Sequence, residues 1–188
     1  MNPFVAARVP PSARTLVMLG VILGTAFAGM LVLFIGGEML ADPGGVQGLL
    51  FVAAWLLLPA VLSILAVVRP DLASPVLVVT SALVVLASLA TIPWARAVWE
   101  FEDTHGPINL VLIIGALIPL VALGRALPER AGWLMIATMV GFVLGQVLSL
   151  GLVGEWSVIL VFVVLLPPFV AAAVLFVLAG RRARDASA

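Results

Sequence analysis

Six long apolar runs constrain this chain more than anything else in it. They cover residues 15–36, 46–68, 74–93, 107–124, 132–153 and 156–180, and none carries an ionisable residue near its middle. A helix rises 1.5 Å per residue, so about 20 apolar residues cross a hydrocarbon core of roughly 30 Å. No water reaches that core to bond the backbone, which leaves the α-helix as the natural state of each run. The predicted fold is therefore all-α. It is a polytopic integral membrane protein, a bundle of six transmembrane helices with a short outer interfacial helix. Composition agrees: 64% of residues are hydrophobic and 10% charged, where a soluble domain carries about 25% charged.

The runs set the domain organisation. Residues 1–14 form an N-terminal tail, 15–180 a single six-helix domain and 181–188 a basic C-terminal tail. Turn signals separate the runs: Asp42-Pro43-Gly44-Gly45, Arg69-Pro70-Asp71, Arg125 to Arg130, and Gly154-Glu155. Ser74-Pro75 reads as an N-cap followed by proline at the first helical position. The first run, with Arg8 and Arg14 before it, is longer than a signal-peptide core of about 7–15 residues and is expected to be a retained helix.

Arginine sets the orientation, because basic residues in short loops stay in the cytoplasm. With the N-terminus inside, Arg8, Arg14, Arg69, Arg125, Arg130, Arg181, Arg182 and Arg184 are all cytoplasmic, and Arg96 alone is outside. An even number of spans then puts both termini in the cytoplasm. Every basic residue is arginine; with abundant Ala, Val, Leu and Gly, this points to a GC-rich bacterial genome and so to a bacterial plasma membrane. Zero net charge removes any basic field for nucleic acid. The absence of cysteine removes disulfides and thiolate metal sites.

Lipid is as apolar as leucine, so spans associate through close approach or polar pairing. Gly20, Gly24 and Ala28 share one face of the first helix, and Gly141, Gly145 and Ser149 one face of the fifth. Each set is expected to be a packing seam inside the bundle, with docking to a partner or a second copy as the alternative. Pro59, Pro119 and Pro167-Pro168 sit in similar settings in the even runs and are expected to bend them. Gln146, near the middle of the fifth run, needs a partner in lipid: a neighbouring helix first, a cavity second. Thr80, Ser81, Ser88, Thr91 and Thr138 can bond their own backbone.

The polar exception is the stretch WARAVWEFEDTHGPINL, residues 94–110. As a helix, Trp94 to Thr104 gathers Trp94, Ala97, Val98 and Phe101 on one side. Arg96, Glu100 and Asp103 fall opposite, with Arg96 and Glu100 at the i,i+4 spacing that lets them pair. This suits a helix lying on the outer leaflet. Trp99 falls on the polar side, where it would cover another loop or a ligand. Arg96, Trp99, Glu100, Asp103, His105 and Asn109 are thus candidate ligand or cavity residues, together with Gln146 and Glu38. Glu38 and Glu155 could face Arg96 across the outer loops. Glu102 points away from Glu100 on the helix, which weighs against a cation site, so no metal site is expected.

No P-loop, G-x-S-x-G, H-E-x-x-H or dinucleotide fingerprint is present. No catalytic residue and no cofactor are assigned, and a single histidine excludes a bis-histidine haem within this chain. In size and helix count alone the chain resembles the substrate-binding subunits of energy-coupled vitamin importers, and no motif goes with that likeness. The expected function is that of a non-enzymatic accessory or assembly subunit. Its partners would be the lipid bilayer and a homo-oligomer or larger membrane complex. The alternative is a carrier or substrate-binding subunit for a small, mostly apolar compound, with an outward-facing vestibule. An outer-leaflet enzyme using Glu100, Asp103 or His105 ranks last.

Overall fold

The computed structural model describes residues 10–41, 46–105, 108–153 and 164–186. Among these the chain is helical with no strand. The helices are α1 (Pro11–Ala41), α2 (Val46–Val68), α3 (Pro70–Ala90), α4 (Ala95–His105), α5 (Ile108–Leu123), α6 (Pro128–Val153) and α7 (Pro167–Asp185). A 3₁₀ turn, Ile92–Trp94, joins α3 to α4.

Proline starts four of them. Pro11, Pro70, Pro128 and Pro167 each stand first in their helix, where the missing N–H costs nothing and the fixed φ already suits the helix. This corrects the expected start of the third run. Arg69 is the N-cap residue of α3, and its carbonyl accepts from Leu72 and Ala73 at 3.1 and 2.9 Å. Ser74 and Pro75 therefore lie inside the helix, with Ser74 buried. Proline acts differently in the three even runs. Pro59 and Pro119 lie within α2 and α5, whereas Pro167 opens α7. The sixth run is thus interrupted at Leu166, and α7 continues past Gly180 through the arginines to Asp185. Arg182 and Arg184 in its last turn favour the negative end of the helix dipole.

Three stretches are long and apolar enough to cross a membrane: Pro11–Gly37, Pro70–Glu102 and Pro128–Ser149. Ala53–Val68 and Asn109–Leu123 are apolar but shorter. Large hydrophobic side chains face outward along these helices. Leu33 is 78% exposed, and Leu57, Leu58, Ile64, Leu83 and Leu86 are each about 60% exposed or more. So continuous an apolar exterior is unsuited to water and compatible with lipid.

Paired contacts give the helix directions. Gly20 lies on the Phe176 ring, and Phe27 meets Phe169 edge-on at 5.5 Å, so α1 and α7 run antiparallel. Val85 lies on Gly141 and Ser88 on Gly145, so α3 and α6 run parallel. Trp55 Nε1 donates to the Val111 carbonyl at 3.2 Å and Pro59 lies beside Gly115, so α2 and α5 also run parallel. The starts of α1, α3 and α6 therefore share one end of the bundle with the C-terminal ends of α2, α5 and α7. Arg14, Arg69, Arg125, Arg130, Arg181, Arg182 and Arg184 gather at that end. Arg96, Glu100 and Glu102 lie at the other.

The core is aromatic and aliphatic, with Phe142, Phe169 and Phe176 fully buried. The Phe176 ring sits between Gly20 and Gly124. A methyl-sized carbon on Gly20 would stand 2.7 Å from that ring, so glycine is what admits the phenylalanine.

Candidate functional site

The polar segment that begins at Trp94 is built on α4. Arg96 Nε and Glu100 Oε1 are 3.5 Å apart, as the helical spacing predicts, with side chains 87% and 65% exposed. Trp94 and Phe101 are largely exposed, Trp99 is partly buried and Ala95 is buried; α4 and the turn before it pack on α6. The side chains of Glu38, Asp103 and His105, and the whole of Glu155, lie outside the described residues. Among the described residues no three of His, Asp and Glu gather as metal ligands would.

Glu102 has a task that spacing alone does not reveal. Its Oε1 accepts the backbone N–H of Asn109 at 2.6 Å. That N–H is in the first turn of α5, where helical donors have no partner within their own helix. Glu102 thus caps the next helix and fixes how α4 meets α5. Burial raises its carboxyl pKa above the ordinary value, while hydrogen bonds from Asn109 pull it down. The Asn109 residue is itself buried. It joins Glu102 at the α4–α5 junction.

The second cluster lies within the bundle. Gln146, 4% exposed, donates through Nε2 to Ser88 Oγ at 3.2 Å. Ser88 Oγ in turn donates to the Phe142 carbonyl at 3.3 Å. Gln146 is therefore bonded to a neighbouring helix. Ser88 departs from the expected bond to its own backbone, because Gly145 brings α6 against it. Thr80 and Thr138 do bond carbonyls four residues back, at 3.0 and 2.7 Å, and Thr91 Oγ1 donates to the Ser88 carbonyl at 2.7 Å. Ser149 Oγ, one turn beyond Gln146, is buried with no hydrogen-bond partner among the described residues.

The two small-residue stripes face inward. Gly24 lies on Val121 of α5, where a Cβ would stand 2.7 Å from Cγ2; Gly141 lies as close to Val85 of α3. Ala28 is buried. Gly29, one residue further on, is different: it is exposed, and a Cβ there would meet nothing within 4 Å. It lines a groove of about 370 Å³ between α1, α2 and α5, together with Thr25, Val32, Ser63, Val67 and Arg125.

A second cavity, of about 610 Å³, opens at the arginine-rich end between α3, α6 and α7. Ser74, Glu129, Arg130, Trp133 and Arg184 line it. Arg184 Nη2 and Glu129 Oε1 pair at 2.5 Å, and the Arg181 guanidinium lies 5.8 Å from the Trp133 ring centroid. Sequence reasoning missed this cluster, although the arginines at 130, 181 and 184 were its visible signal. No family model matches the sequence, and no curated protein or solved structure is similar to it.

Proposed function

We propose that the chain is a six-span protein of the bacterial plasma membrane with both termini cytoplasmic, and that it works as a non-enzymatic accessory or assembly subunit. The helix directions support the topology, since neighbouring passes alternate as an even weave requires. The gathering of all described arginines but Arg96 at one end supports the orientation. The outward-facing leucines support the lipid setting.

Gly29 carries the subunit reading. Glycine inside a helix is about 1 kcal/mol less favourable than alanine. Gly20, Gly24, Gly141 and Gly145 each have an internal reason, a side chain seated on them. Gly29 has none. With Thr25 one turn before it, it forms a small-xxx-small face in an open groove, where another helix can approach closely. The occupant is a transmembrane helix of a partner subunit or of a second copy. The carrier reading has less support: it drew on Gln146 as a cavity residue, and Gln146 is engaged with Ser88 and lines neither cavity described above.

Gly29→Leu tests the proposal. The side chain enters open space, so the melting temperature in detergent should hold. The wild-type chain should migrate with a partner or as an oligomer in mild detergent, and the variant alone. A wild-type chain that is monomeric and partner-free in several mild detergents, or a variant that keeps its partner, would overturn it.

A further inference from the structure

We infer that the cavity between α3, α6 and α7 is a binding site for one anionic phospholipid of the cytoplasmic leaflet. The inference rests on the membrane orientation proposed above. It does not depend on the groove at Gly29.

The cavity combines charge and apolarity in the order a phospholipid presents them. At its mouth, Arg184 is paired with Glu129, so that couple adds no net charge. Among the described residues the ion pairs are Arg184–Glu129 and Arg96–Glu100; neither Arg130 nor Arg181 is in one. Arg130 lines the cavity. Arg181 is held beside it by the face of Trp133, a cation–π contact that positions the guanidinium without neutralising it. Among the described residues, then, two guanidiniums that belong to no ion pair flank a recess with a serine in its wall, Ser74. Guanidinium groups bind phosphate oxygens through paired N–H donors.

Above the arginines the lining turns apolar. Val78 on α3 and Leu134 and Ala137 on α6 continue the recess along the parallel helices toward the middle of the bundle. Val78 is 47% exposed and Trp133 48%, so both surfaces remain open to an occupant. A tryptophan at the level of the arginines marks headgroup depth, where an amphipathic ring is most stable. Basic pockets between helices at the cytoplasmic face are the known setting for anionic headgroups. A soluble anion would use only the mouth; the apolar lane selects a molecule with an acyl chain.

The test compares phosphatidylglycerol with phosphatidylcholine bound to the purified full chain, counted as retained adducts by native mass spectrometry. Each arginine near an anionic headgroup contributes roughly a fivefold preference, so the pair predicts about twenty-fivefold for phosphatidylglycerol. Arg130→Gln with Arg181→Gln should bring the ratio near one, and Arg130→Lys with Arg181→Lys should restore most of it. Ala137→Trp, which fills the lane and leaves the charges, should also reduce it. Arg14→Gln with Arg69→Gln, at the same end but outside the cavity, should leave the ratio high. Equal loss in both glutamine pairs would mean only a diffuse basic surface and would overturn the site. So would saturation by glycerol phosphate alone at the same concentration, or a wild-type ratio of one. Absence of the chain from the membrane fraction would instead overturn the membrane reading on which the site rests.

Discussion

Gly145→Ala is the substitution on which the internal architecture can be tested most sharply. A Cβ at Gly145 would collide with Ser88 Oγ and lie 3.2 Å from both the Cβ and the carbonyl carbon of Ser88. The hydroxyl can swing away only by leaving the Gln146 amide and the Phe142 carbonyl. Interhelical hydrogen bonds in membranes average about 0.6 kcal/mol and reach about 1.7. Forcing the helices apart by a few tenths of an ångström falls within the roughly 1–3 kcal/mol of overpacking. Against this, alanine gains up to about 1 kcal/mol of helix propensity. The net expectation is a loss of about 1–3 kcal/mol, measured by reversible unfolding in mixed micelles. Ser88→Ala removes the oxygen that clashes, so Gly145→Ala should cost about 1 kcal/mol less in that background. If Gly145→Ala is neutral, or costs the same with and without the hydroxyl, then α3 and α6 do not meet at this point and the Ser88–Gln146 bond is not what joins them.

Three further outcomes follow from the same geometry. Burial raises the carboxyl pKa of folded Glu102 above its ordinary value of 4.5; the folded chain then binds that proton more tightly than the unfolded one. The resulting stability is fully present below pH 4.5 and is lost as pH rises through the raised value, and Glu102→Gln should flatten that part of an unfolding profile taken against pH. Arg96→Ala should change stability by no more than about 0.5 kcal/mol in the same micelle assay, because the pair with Glu100 is 87% and 65% exposed. Trp55→Phe removes the donor to the Val111 carbonyl and should cost about 0.6 kcal/mol in that assay.

What was legible in the sequence was what depends on long periodic patterns. The apolar runs foretell helices because lipid offers the backbone no other partner, and the structure is helical over most of what it describes of them, with breaks at Thr91 and Leu166. The Arg96–Glu100 pair and the Gln146 bond follow from spacing and from the cost of a bare amide in an apolar setting. The misses are local or long-range. Ser74-Pro75 looks like a helix start because its residue types are right, yet Pro70, also preceded by a turn signal, begins the helix one turn earlier. Ser88 was able to bond its own backbone and instead bonds the Phe142 carbonyl. What redirected it was a glycine 57 positions away, a contact no local pattern encodes. Glu102 seemed a weak cation ligand on helical geometry, and its partner lies in the next helix. The cavity at Trp133 joins residues from three helices, so only the packed bundle brings Arg130 and Arg184 to the same recess and sets Arg181 beside it.

Which end of the bundle stays in the cytoplasm decides where both the lipid cavity and the polar α4 segment lie. The chain has no cysteine, so single substitutions can report it in intact cells: Arg8→Cys, Asp71→Cys, Asp103→Cys, Pro128→Cys, Glu155→Cys and Asp185→Cys. A membrane-impermeant thiol reagent should label only positions 103 and 155 from outside, leaving the arginine-rich end untouched until the cells are opened. Labelling of positions 71 and 185 from outside, with position 103 protected, would contradict this orientation.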